Sequence, residues 1–158
     1  MQKLIVVFVL IFAVNPANRA QQIDKFMKSF AKTEGVVHFK MDGSLPSVAK
    51  MLIGESACNA VDKKFKSVEI LSSKNADSKQ IKKFISAVNK LSGSKGYEPL
   101  MAVCDGSKNV NIVLEKDKDL IKSVIIFVSS DSGLSIIRLK GKISESDISE
   151  LAKQHTTH

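Results

Sequence analysis

The sequence predicts an α+β fold, a largely antiparallel sheet with helices packed against it, closing in a four-strand meander and a terminal helix. Three observations carry this prediction. Apolar residues recur at helical spacing over 22–34 and 81–91, the chain after Gly96 alternates at a period of two, and short turn sequences cut that stretch into four runs.

The elements follow in chain order. Ile23, Phe26, Met27 and Phe30 fall at i, i+3, i+4 and i+7, one stripe of a helix over 22–34 that Gly35 closes. Val36 to Met41 switches to a strand period, with Val37, Phe39 and Met41 on one face and Val36, His38 and Lys40 on the other. Ser44 is placed to cap a second helix through Ile53, with Pro46 in its first turn and Val48, Met51 and Leu52 inward. Residues 55–65 read as an irregular connection to a strand over 67–73.

Asp77 followed by Gln80 makes a capping box for the strongest helix, where Ile81, Phe84, Ile85, Val88 and Leu91 form the stripe and Gly93 stops it. Lys79, Lys82, Lys83 and Lys90 lie off that stripe and face water. Four strands are then expected at Tyr97 to Cys104, Asn109 to Glu115, Ile121 to Ser129 and Leu134 to Lys140. Val124 to Val128 is continuously apolar, as a central strand covered on both faces requires. Ser144 and Asp147 open the last helix in a capping-box-like arrangement, Ile143 and Ile148 sit at staple positions, and Ile148 and Leu151 dock it.

The first twenty residues read as a leader for export. Lys3 precedes an uninterrupted apolar run from Leu4 to Val14, and small residues follow up to Ala20. That run is roughly half of the ~20 residues a bilayer-spanning helix needs, so it predicts a cleaved signal peptide and no stable transmembrane anchor. Cleavage is expected after Ala20, which leaves one α+β domain over 21–158 in the periplasm or outside the cell.

Of 158 residues, 44% are hydrophobic and 25% charged, the composition of one ordinary domain. Two Cys are too few for a disulfide-knotted miniprotein. Loss of Lys3 and Arg19 with the leader leaves 22 basic against 16 acidic residues, a formal charge of +6. Arg138 is then the only Arg, Trp is absent and Tyr97 is the only Tyr. Base readers depend on Arg forks and aromatic platforms, so no nucleic-acid partner is expected. The scattered Lys residues read first as a solvated surface, and their functional reading is a weak preference for an anionic partner or membrane surface.

The segments YEPLMAVCDGSKNVNIVLEK, SVIIFVSSDSGLSIIRLKGKIS and ESDISELAKQ carry a resemblance. Their hairpin strands, the L-K-G-K-I stretch at Leu139 to Ile143 and the acidic start of the last helix resemble the domain of unknown function 4252. That is a family of small exported proteins found mainly in Bacteroidetes. The resemblance implies an exported α+β domain without assigned activity, and it carries over no catalytic, cofactor-binding or metal-binding residue.

Candidate chemistry is sparse. A nucleophile would need Cys58 or Cys104 beside a His, and the His residues are His38, His155 and His158, two of them in the tail. Cys104 in a strand reads as a small core residue, and an oxidising compartment permits a Cys58 to Cys104 disulfide. His38 shares a strand face with Lys40. No HxH, CxxC, HExxH or DxDxDG spacing gathers metal ligands, and no GxGxxG, GxxxxGK[ST] or GxSxG supplies a phosphate cradle or nucleophile elbow, so no cofactor is expected.

The leading reading is an exported noncatalytic module that contacts a protein or an anionic component of the bacterial cell envelope. One rival is a small periplasmic enzyme using His38 with Cys58 or Cys104. Another is a carrier of an apolar ligand, which requires a pocket of roughly 300 Å3 or more between helices and sheet.

Overall fold

The period of two after Gly96 folds into four strands because each run ends in residues suited to a tight turn. The structure, a computed structural model, describes residues 17–43 and 64–154. In chain order they form α1 (Ala17–Ala31), β1 (Val36–Asp42), β2 (Phe65–Lys74), α2 (Ser78–Ser92), β3 (Tyr97–Asp105), β4 (Lys108–Asp117), β5 (Leu120–Ser130), β6 (Gly133–Ile143) and α3 (Glu145–Gln154). The six strands make one sheet in the order β1-β2-β6-β5-β4-β3, with every neighbouring pair antiparallel. The expected helix over 44–53 lies outside the described residues, as do Cys58, His155, His158 and most of the leader.

The predicted α+β class and closing meander are present, and the boundaries differ for identifiable reasons. α1 stops at Ala31 rather than at 34, because Thr33 N–H donates back to the Phe30 carbonyl and Gly35, at φ +79°, turns the chain into β1. At its other end α1 extends upstream to Ala17, five residues before the expected start. β2 begins at Phe65, inside the stretch read as irregular, since Phe65 is buried.

Alternation gives the sheet two apolar faces. On one, Leu71, Val113, Ile125, Phe127, Leu134 and Ile136 meet Ile23, Met27 and Phe30 of α1 and Phe84, Val88 and Leu91 of α2. On the other, Val68, Leu114, Val124, Leu139 and Ile143 form a second core against which Ile148 of α3 packs. β5 and β6 lie at the centre, so Val124, Ile125 and Phe127 are all buried although they alternate in direction. β1 is an edge strand, and its Val37 and Phe39 stay 70% and 45% exposed.

Capping chemistry sets the helix starts. Asp77 Oδ1 accepts from Gln80 N–H at 2.7 Å while Gln80 Oε1 accepts from Asp77 N–H at 2.9 Å, the reciprocal box that the spacing predicts. At α3, Asp147 Oδ2 accepts from both the backbone N–H and the hydroxyl of Ser144 at 2.8 Å, and its other oxygen pairs with the Lys64 ammonium. The Lys64 contact first, then the two Ser144 hydrogen bonds, hold the Asp147 carboxyl down at about 2. A carboxyl depressed in the fold stabilises it fully above its ordinary 3.8 and ceases to do so as pH falls through about 2. Acid titration is therefore expected to release α3 within that window, read from the amide resonances of 145–149. An Asp147→Asn variant should lose this step, and α3 signals that stay fixed down to pH 2 would refute it.

Candidate functional site

The stripe that buries α1 leaves Phe26 and Phe30 on the flank facing α2, and α2 answers with Phe84. Their rings pack with centroids 5.9 Å apart for Phe26–Phe84 and 5.5 Å for Phe30–Phe84, while Phe127 from the sheet meets both Phe26 and Phe84 from below. Because neither helix has a bulky residue above these rings, a cleft of about 330 Å3 remains between them. Phe26, Phe30, Phe84 and Leu134 supply its apolar walls, and Ser29, Thr33 and Lys83 its polar rim.

Lysines occupy the outward sides of the same two helices. Lys25 and Lys28 of α1, with Lys32 one residue past its end, recur at spacings of three and four, opposite Ile23, Met27 and Phe30, and all are exposed. On α2, Lys79, Lys82, Lys83 and Lys90 do the same opposite Phe84, Val88 and Leu91. α2 contains no acidic residue and α1 only Asp24, whose carboxylate is held by Arg138 at 2.5 Å. Among the described residues none of these lysines has an ion-pair partner, whereas Lys64, Lys116, Lys122 and Arg138 of the sheet layer are paired.

Beneath α1 lies a buried charge cluster. Arg138 projects from β6 with its side chain 4% exposed, and its Nη2 donates to Glu115 Oε2 at 2.9 Å. Ser123 hydroxyl donates to the same oxygen at 2.5 Å. Burial works against the Arg138 charge, but Glu115 and Asp24 outweigh it and hold the guanidinium above its usual range. Nearby, the Tyr97 hydroxyl accepts from Ile23 N–H at 3.2 Å, and burial pushes its titration up to about 12. These groups fasten α1 to the sheet. The sequence signal for them is a single Arg set among Ile136, Ile137 and Leu139.

Of the residues singled out for chemistry, the described ones, His38 and Cys104, are not brought together. His38 lies on β1, its Nε2 2.8 Å from Glu69 Oε1, beside a second cleft of about 310 Å3 that Asp24, Lys28 and Lys32 also line. Cys104 lies on β3, at the opposite edge of the sheet. Five strand spacings of about 4.8 Å put the two roughly 24 Å apart, beyond any proton transfer. Cys104 is also a free, exposed thiol rather than the core residue expected, because β3 is an edge strand whose second half is left exposed by the described residues. Cys104→Ser should change stability by less than about 0.5 kcal/mol, and the native thiol should react with a maleimide at once; labelling only after denaturation would show it buried. No three His, Cys, Asp or Glu among the described residues group as metal ligands, and no described helix is long and apolar enough to cross a membrane.

An antiparallel sheet with helices on both faces, an unpaired basic helical surface and an apolar cleft is thus the class of protein defined by the geometry. The chain belongs to the family described as Domain of unknown function (DUF4252), whose sequence model matches residues 26–151. No curated protein and no solved structure matches it.

Proposed function

We propose that the chain is an exported, noncatalytic binding module, freed of residues 1–20 and acting at the bacterial cell envelope on an anionic component through α1 and α2. The observation that carries this reading is a set of seven lysines unpaired among the described residues, six on two adjacent helices and Lys32 just past the end of α1. Like charges crowded on one face repel, and a partner of opposite sign relieves that repulsion.

Cell fractionation tests the reading. The chain should be recovered with the envelope, begin at Gln21 and be released by raised salt. Recovery of an uncleaved chain from the cytoplasm, or turnover of a substrate lost on replacing one polar side chain, overturns it. A protein partner is the second reading, favoured by Met101 and Val103 on β3 and Val37 and Phe39 on β1, which leave apolar side chains exposed at both sheet edges.

A further inference from the structure

We infer that the α1–α2 face docks on an anionic phospholipid bilayer, its lysines against the headgroups and its Phe-lined cleft accepting the apolar part of a lipid; this rests on the reading just given and names its ligand. Two features of one surface converge on that chemistry. The cations are all Lys, compact point charges that attract a diffuse field of phosphates without demanding a fixed partner geometry. An acidic protein recognised in a defined pose would favour forked Arg contacts, and the one Arg downstream of the leader is committed inside the fold.

The second feature is the cleft. It opens between α1 and α2, and Lys83 stands on its rim above Phe26, Phe30 and Phe84, while Lys28 and Lys32 border the neighbouring cleft on the other side of α1. Charge outside and apolar walls inside match a molecule that is anionic at one end and hydrocarbon at the other. A purely ionic partner leaves the 330 Å3 of apolar space unused. A neutral apolar ligand leaves the lysines unused.

Vesicle co-sedimentation of the full chain decides it, using pure phosphatidylcholine against phosphatidylcholine carrying roughly one-third phosphatidylglycerol. The leader is common to every variant, so differences between variants report the helical face. Binding to the mixed vesicles should be at least about a hundredfold tighter than to the neutral ones and should fall with salt. Lys25→Gln, Lys32→Gln, Lys79→Gln and Lys82→Gln together should weaken it about a hundredfold. The same charge removed from the strands, by Lys66→Gln, Lys74→Gln, Lys108→Gln and Lys142→Gln, should weaken it far less. All eight side chains are exposed and unpaired among the described residues, so folding is retained, which circular dichroism confirms.

Equal losses from the two variants overturn the docking face. Equal binding to the two vesicle types overturns the lipid, and so does retention on polyglutamate beads without vesicle binding. Either result leaves salt-released envelope association, and with it the broader reading, standing.

Discussion

Arg138→Met is expected to lower the stability of the fold by about 3–5 kcal/mol, because it removes one partner from a buried ion pair and leaves the other behind. Glu115 is 4% exposed, and its carboxylate has Arg138 and the Ser123 hydroxyl as its partners. Without the guanidinium it must protonate or draw in water, both costly under α1. Asp24 contributes less to this loss, since its carboxylate is half-exposed and water can replace its partner. A rescue separates the buried charge from a mere packing defect. Arg138→Met with Glu115→Leu and Ser123→Ala replaces the cluster by apolar volume, and such replacements are commonly neutral or stabilising. Urea unfolding should therefore show the single variant far below the triple one. A single variant within about 1 kcal/mol of the parent, or a triple variant no better than the single, would mean that the cluster does not hold α1 down.

That cluster marks the limit of what periodicity conveys. Spacing identifies which residues face inward, and Ile23, Met27, Phe84, Val88 and Leu91 are buried as their positions require. The capping box at Asp77 could be read because it is local, two residues three apart with complementary groups. Arg138 and Glu115 are 23 positions apart and Arg138 and Asp24 are 114 apart, and only the strand order β6-β5-β4 with α1 laid across it makes them neighbours. Strand order was the unread quantity. β6 pairs with β2 rather than ending the sheet, which puts β1 and β3 at opposite edges and separates His38 from Cys104.

The candidate site has the same history. The lysines of α2 were correctly expected to face water, and those of α1 follow from its stripe. Their meeting on one face depends on α1 and α2 lying side by side on the same side of the sheet, a tertiary fact. Phe26, Phe30 and Phe84 have the spacing of core residues, and they are core-facing. Whether the space above such rings is filled is set by their neighbours Ser29 and Ala87, which are too small to close it.

Gly141→Ala should destabilise the protein by about 3 kcal/mol, at the upper end for overpacking, because the obstacle is backbone rather than a movable side chain. Gly141 lies in the stretch Leu139 to Ile143 that carries part of the family resemblance, and it was expected between a strand and a helix. It lies instead within β6, where both flanking pairings change register, between Phe65 and Ser67 on one side and Ile121 and Ser123 on the other. The Lys64 carbonyl crosses over it to accept from Lys142 N–H at 3.2 Å. A methyl group there would overlap that oxygen and stand 3.0 Å from the Lys64 carbonyl carbon and 3.1 Å from Phe65 Cα. Relief requires moving Lys64, which also withdraws its ammonium from Asp147 and loosens the cap of α3. Gly93→Ala is the control: that residue is already in the right-handed region, and an added methyl meets only ordinary contacts at 3.7 Å. Thermal melts should place Gly141→Ala roughly 10 °C below the parent and Gly93→Ala beside it. Equal melting of the two variants would show that β2 enters the sheet without the close approach that makes glycine necessary at 141.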